Sequence, residues 1–402
     1  MSLGLLLVVI FLGGALAARL AEQLRCPGLL GMLAWGGLLG IFLKGQVSNE
    51  LALLSATAKE LALAVILLRL GLGIRLPLLR QTGWPSLLVG GGSCALEVGV
   101  LSLILHSLFD WSWPLAGLTA CMLAAISPAV VVPAMLDLLQ RGYGSRRAVP
   151  TMLLSATSLD NLVAIFSFSV LLGVISGHSG PLLLSIPVAC ILGTVPGMLA
   201  GWFLGVKLRP SAAGPAEQLL VLLGVAVLLL ELGNHLNSPA VLGVTAMGLL
   251  LQHHGRSCVE SWARMLDRVW FFAQILLFVL IGLNLNPATT LDIGWTGGSV
   301  IVAGVLCRLL GVWLMTYFTA LNRKERLFCA VSFVPRATAQ AALGGVALAQ
   351  GIPEGEWIQA LSVLAIVLTA PTGAVGIRLL GHRLLEPESA SHEKRTQEGQ
   401  LR

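Results

Sequence analysis

Thirteen apolar stretches follow one another along this chain, most of them near the roughly 20 residues a helix needs to cross a bilayer. They fall at about 2–19, 28–46, 51–74, 84–108, 114–140, 148–176, 181–206, 217–233, 239–252, 269–287, 297–321, 326–350 and 357–380, the ninth being the shortest. In hydrocarbon every backbone N–H and C=O must find a partner inside the protein, which leaves helices as the economical way to cross. The composition agrees: of 402 residues 56% are hydrophobic and 11% charged, less than half the roughly 25% charge of a soluble domain. The expected fold class is an all-α polytopic membrane protein with thirteen transmembrane helices.

The connecting loops separate into two kinds by their lysines and arginines, which are retained on the cytoplasmic side of a membrane. One kind holds Arg19/Arg25, Arg75/Arg80, Arg141/Arg146/Arg147, Lys207/Arg209, Arg256/Arg264/Arg268, Arg323/Lys324/Arg326 and Arg378/Arg383/Lys394/Arg395. The other has Lys44 as its basic residue and includes the turns around Asp110, His178, His235, Asp292 and Glu354/Glu356. Strict alternation predicts an external amino terminus and a cytoplasmic carboxyl terminus. It also accounts for the net charge of +6 without a nucleic-acid partner.

Met1 to Ala18 has the apolar core of a signal peptide but no basic n-region, so an uncleaved first span is expected. Cysteines such as Cys94, Cys121, Cys190, Cys307 and Cys329 stand singly, with no metal-binding spacing. With no nucleotide loop, hydrolase elbow or zinc motif either, neither enzymatic activity nor a cofactor is expected. Residues 1–383 read as one transmembrane unit and 384–402 as a short disordered cytoplasmic tail.

Charged residues interrupt this apolar pattern at a few points. Asp160, followed by Asn161, sits inside the run Met152–Ile175, where a charge costs roughly 3 kcal/mol on insertion scales and needs a function or a partner. Glu97, Arg308 and Arg336 occupy similar places in other runs. The fifth span carries Ser127-Pro128-Ala129-Val130-Val131-Val132-Pro133, and the twelfth Pro335-Arg336-Ala337-Thr338-Ala339-Gln340. Proline removes a backbone donor and clashes with the preceding turn, so both spans are expected to be interrupted, with Pro128, Pro133 and Pro335 marking the breaks. Pro128 and Pro335 are 207 residues apart, Glu97 and Arg308 211 apart. Each offset is seven spans, an odd number, so the second copy is inverted relative to the first, a construction common among secondary transporters. Spans 4–6 then pair with 11–13, setting Glu97 opposite Arg308 and crossing the broken helices near Asp160.

Asp160, the Asn161 amide, Ser127, Thr157, Ser158 and carbonyls freed near Pro128 form an oxygen donor set suited to a hard monovalent cation, with Asp160 as its metal-binding carboxylate. Arg336, beside the second break, is expected to offset carbonyl ends and hold Asp160, while Glu97 and Arg308 neutralise one another. Desolvation favours a protonated Asp160 and a neighbouring arginine favours its ionised form.

On these residues, together with Leu68-Arg69-Leu70-Gly71-Leu72-Gly73 and Ser158-Leu159-Asp160-Asn161, the chain resembles the sodium/proton antiporters of the cation:proton antiporter superfamily, in particular the NHA branch. The similarity runs from about Arg25 to Leu380. It implies a homodimer in the plasma membrane (bacterial inner membrane), with a core chiefly of 84–176 and 297–380 moving against a dimerisation part chiefly of 1–46 and 181–287. It also implies that Asp160 matches the first acid of a mid-membrane acid pair and Arg336 its basic partner, with Arg308 and Glu97 as a further basic position and its counter-charge. The transported ions would be Na+ or Li+ and H+. The usual second acid is Asn161 here, which can coordinate but not titrate. Two alternatives stay open: an antiporter fold with altered or lost coupling, and a transporter of an anionic solute using Arg336.

Overall fold

The computed structural model describes residues 3–24, 26–42, 49–73, 76–175, 182–208, 214–235, 240–254, 258–283 and 287–387. Arg25, Lys44, Arg75, His178, Arg209, Arg256, Lys394 and Arg395, and the tail beyond Pro387, lie outside the described residues.

The described chain is helical, with one isolated bridge between Tyr143 and Pro387. The helices are α1 Leu3–Gln23, α2 Gly28–Phe42, α3 Asn49–Gly73, α4 Leu76–Leu87, α5 Ser93–Phe109, α6 Trp113–Ala124, α7 Pro128–Gln140, α8 Val149–Ile175 and α9 Leu182–Lys207. There follow α10 Pro215–His235, α11 Ala240–His254, α12 Val259–Leu283, α13 Pro287–Tyr317, α14 Arg323–Ser332, α15 Thr338–Leu343, α16 Val346–Ala349 and α17 Gly355–Leu384. A π-turn, Leu88–Gly92, joins α4 to α5.

Among the described residues, 8 helical stretches are long and apolar enough to cross a membrane. Shorter apolar helices lie at Gly28–Phe42, Ile191–Lys207, Val241–His253 and Thr338–Ala349. The protein is therefore a multi-pass membrane protein. The described parts of the thirteen expected stretches are helical apart from a few end residues and the interruptions in the fifth and twelfth, and eight helical stretches have the length and hydropathy that crossing needs.

Two groups of helices each pack mainly within themselves. In one, α1–α3 and α9–α12 come together through small residues, which let helix backbones approach where lipid supplies no hydrophobic drive. The closest approach is at Gly197 of α9, where a Cβ would stand 1.9 Å from the Gly243 carbonyl of α11. Arg69 of α3 donates to Asp267 of α12 at 2.6 Å, with its guanidinium over Trp270. The other group, α4–α8 with α13–α17, carries the buried charges.

Both interrupted spans lie in this second group. α6 stops at Ala124 and α7 begins with Pro128 at its first turn, leaving Ala125 and Ser127 in non-helical conformations. Ser127 is extended because the residue before a proline is pushed out of the helical region, whereas Pro128 is pre-shaped for a helix start. α14 stops at Ser332 and α15 resumes at Thr338, with Pro335 and Arg336 between them. The Ser127 N–H donates to the Pro335 carbonyl at 2.9 Å, so the two breaks meet. α17 lies close behind the second break: a Cβ on Gly373 would sit 2.4 Å from Pro335 Cγ.

Two expectations change. Pro133 marks no break, because α7 runs through it from Pro128 to Gln140; its ring withholds only the donor that would have reached the Ala129 carbonyl. Within the expected tail, residues 384–387 are held in place: the Glu386 carbonyl accepts the Gly144 N–H at 2.9 Å, and Pro387 bridges Tyr143. The backbone of the 141–148 turn captures these residues, which their polar composition did not foretell.

Candidate functional site

α8 carries Asp160 to the point where the breaks meet. The residue is fully buried, with Oδ1 accepting from Arg308 Nη1 at 2.5 Å and Oδ2 from the Ile126 N–H at 3.0 Å. Ile126 lies in the first break, so the carboxylate satisfies a backbone donor that the interruption of the helix released. The carbonyl end of α6 closes on the same break and carries roughly half a negative charge. Arg308 Nη2 takes the Ala124 carbonyl at 2.6 Å, Arg336 Nη1 takes that of Leu123, and Gln340 Nε2 takes those of Met122 and Ala125 at 2.8 and 2.7 Å. Two guanidiniums and an amide thus cap the severed helix, whose last carbonyls have no partner of their own.

The charges form a chain. Glu97 Oε2 accepts from Arg308 Nε at 2.5 Å, and Glu97 Oε1 accepts from Arg336 Nη2. Arg308 Nη1 also donates to Ser93 Oγ at 3.0 Å, and the guanidinium lies 5.8 Å from the centre of the Phe333 ring. The order is Asp160, Arg308, Glu97, Arg336, all nearly inaccessible to solvent. Formal charges along it sum to zero, and removing one partner of such a buried pair costs about 3–5 kcal/mol.

Glu97 and Arg308 meet across the two copies as their spacing predicted. The partner of Asp160 does not match expectation: Arg308 holds it, and Arg336 pairs with Glu97 instead. Arg336 adjoins the break, but its guanidinium is directed to Glu97 and the α6 carbonyl end, while Arg308 enters from α13 between both acids. The expected donors are likewise of two sorts. Thr157 Oγ1 and Ser158 Oγ donate back to the Leu153 and Leu154 carbonyls at 2.7 and 3.2 Å, as membrane-helix hydroxyls commonly do. Asn161 Nδ2 donates to the Thr157 carbonyl at 3.0 Å, while Asn161 Oδ1 and Ser127 Oγ are buried with no hydrogen-bond partner. Gln340 and Ser93 are the participants that the sequence reading did not include in the site. An amide alone in the apolar run after Arg336 was the available signal for the first, and nothing marked the second.

Comparison with known proteins identifies the family and the fold. The model of the transmembrane sodium/hydrogen exchanger family matches residues 7–380. Sodium/hydrogen exchanger 9B2 of Homo sapiens is 31% identical over 395 residues, covering 93% of this chain and 72% of that protein. Sodium/hydrogen exchanger 9B1 of Homo sapiens is 29% identical over 413 residues, covering 94% and 78%. In fold, the chain is similar to the sodium proton antiporter MjNhaP1 of Methanocaldococcus jannaschii, with a TM-score of 0.78 at 22% identity, covering 94% of this chain and 97% of that one. Since the family model spans almost every helix described above, breaks and buried charges included, this chain belongs to the sodium/hydrogen exchangers, a family of membrane transporters and not of enzymes.

Proposed function

We propose that the protein exchanges Na+ or Li+ for H+ by alternating access, with Asp160 as the group that binds either ion. The relatives' names support the cation and proton; the environment of Asp160 supports the residue. The observation that carries the reading is the position of this carboxylate at the meeting of two helix breaks, where the next residues along the chain from Ile126 and Asp160, Ser127 and Asn161, carry buried oxygens with no hydrogen-bond partner. A proton and a cation compete for one carboxylate, so entry of one requires departure of the other, and a single titrating acid makes one proton per cation the expected ratio.

In the same reading the α4–α8 and α13–α17 group moves against the α1–α3 and α9–α12 group. The second serves as the dimerisation part of a homodimer in the plasma membrane, with the amino terminus outside. The terminal nitrogens of Arg336, the residue an anionic solute would use, hold Glu97 and the Leu123 carbonyl, while its buried Nε has no hydrogen-bond partner.

A second reading, weakened coupling, is favoured by one observation: the buried formal charges already balance without an ion, because Asn161 contributes none. An unloaded site with no net charge meets less resistance in lipid than a charged one, so ion-free return is less strongly forbidden. The deciding experiment uses proteoliposomes with an imposed sodium or lithium gradient. Wild-type protein moves protons against the gradient and Asp160→Asn does not; proton movement that survives Asp160→Asn removes the residue from the mechanism.

A further inference from the structure

Gln340 is held in one orientation by its own amide. Its Nε2 donates to the Met122 and Ala125 carbonyls at 2.8 and 2.7 Å. An amide has two donors on nitrogen and an acceptor oxygen, so turning the group over would set oxygen against two carbonyl oxygens. Oε1 is thereby directed away from the α6 end, and it is buried with no hydrogen-bond partner, in a residue with no measurable exposure. An unpaired buried polar atom costs about 1–3 kcal/mol and calls for a compensating role, such as ligating an ion.

Two more oxygens, on residues adjacent in sequence to Ile126 and Asp160, share that condition. Ser127 Oγ belongs to the residue two after Ala125, and Asn161 Oδ1 to the residue after Asp160. Gln340 fastens the Ala125 carbonyl while Asp160 fastens the next N–H, that of Ile126. The amide and the carboxylate are therefore anchored to adjacent residues of the same break.

We propose that Gln340 supplies a neutral oxygen ligand to the transported cation and, with Ser127 and Asn161, sets which monovalent cation the site accepts. The inference rests on the exchange reading above and adds a ligand from the second broken helix. Hard cations take oxygen donors, and with one carboxylate among neutral oxygens, selection follows from ligand number and spacing. Because Gln340 follows one break and Ser127 lies in the other, both inverted copies contribute to one ion.

The test measures half-saturation by Na+ and by Li+ of proton movement in proteoliposomes, for the full chain and for Gln340→Met and Gln340→Glu. Methionine keeps the length and removes the oxygen ligand; it is expected to raise half-saturation for Na+ about tenfold, equivalent to about 1.4 kcal/mol, and to change the Na+ to Li+ ratio. Glutamate loses the donors to the Met122 and Ala125 carbonyls but brings oxygen with negative charge, whose attraction for the cation is expected to outweigh that loss and lower half-saturation. A purely structural amide, lost in both variants, shifts both in the same direction and leaves the ion ratio unchanged, an outcome that overturns the proposal. If Gln340→Met does not yield a monodisperse protein, Gln340→Glu decides alone: an unchanged or raised half-saturation overturns the proposal. Wild-type and Asp160→Asn proteins measured alongside separate the two readings. Absent wild-type flux refutes exchange itself, whereas flux that requires Asp160 but ignores Gln340 refutes only the ligand.

Discussion

Neutralising Asp160 and Arg308 together should harm the protein less than the two separate changes imply. The Oδ1 to Nη1 contact is 2.5 Å and neither side chain reaches solvent. With charge centres about 4 Å apart and an effective dielectric near 20, the attraction is about 4 kcal/mol. Asp160→Asn turns an amide toward a guanidinium and leaves a net positive cluster; Arg308→Gln leaves Asp160 with the Ile126 N–H and no cation. Each single change is expected to cost about 3–5 kcal/mol. At about 2 °C per kcal/mol for a chain of this size, detergent-solubilised protein should melt about 6–10 °C lower. The double variant restores charge balance, and a coupling of about 2–3 kcal/mol should appear as a melting temperature about 4–6 °C above the additive value. The parallel cycle with Arg336→Gln is the control, because Arg336 reaches Asp160 only through Glu97 and Arg308. Its coupling should be less than half as large. Additive behaviour for Asp160 with Arg308, or the larger coupling with Arg336, would refute the pairing and the charge order built on it.

Asn161→Asp changes the formal sum of the buried cluster from zero to minus one and removes the amide donor from the Thr157 carbonyl; sodium half-saturation and ion-free proton leak under an imposed voltage should both fall, and an unchanged leak would count against the weakened-coupling reading. Gly373→Ala drives a methyl group to 2.4 Å from Pro335 Cγ and 2.7 Å from its nitrogen; overpacking of about 1–3 kcal/mol should lower the melting temperature while cation-driven proton movement falls at least about tenfold in the same preparation, and normal flux would show that the second break tolerates displacement.

Much of this architecture could be read from residue order because lipid restricts the options so severely. Apolar runs had to become helices, and Ser127-Pro128 and Pro335-Arg336 had to disturb them, since proline's missing donor and its effect on the preceding residue are local properties. The meeting of Glu97 with Arg308 followed from equal offsets between the two copies. What residue order does not encode is the angle at which the broken helices cross, and that angle decides which guanidinium reaches which acid. Arg336 looked like the partner of Asp160 because it flanks a break; Arg308, arriving from α13, occupies the space instead. Gln340 was overlooked for a similar reason: its importance lies in carbonyls more than two hundred residues earlier in the chain. Pro133 shows the opposite error, a proline that one continuous helix absorbs.

The serine at position 93 gives Arg308 a reserve. Its hydroxyl donates to the Val89 carbonyl and accepts from the same Nη1 that holds Asp160. Under the proposed exchange, a carboxylate that turns toward an incoming ion leaves that nitrogen with an acceptor within reach, and the remaining guanidinium contacts to Glu97 and Ala124 need not alter. In that proposal the arginine would be a fixed post, from which an anion is untied and retied without the surrounding helices having to shift to compensate.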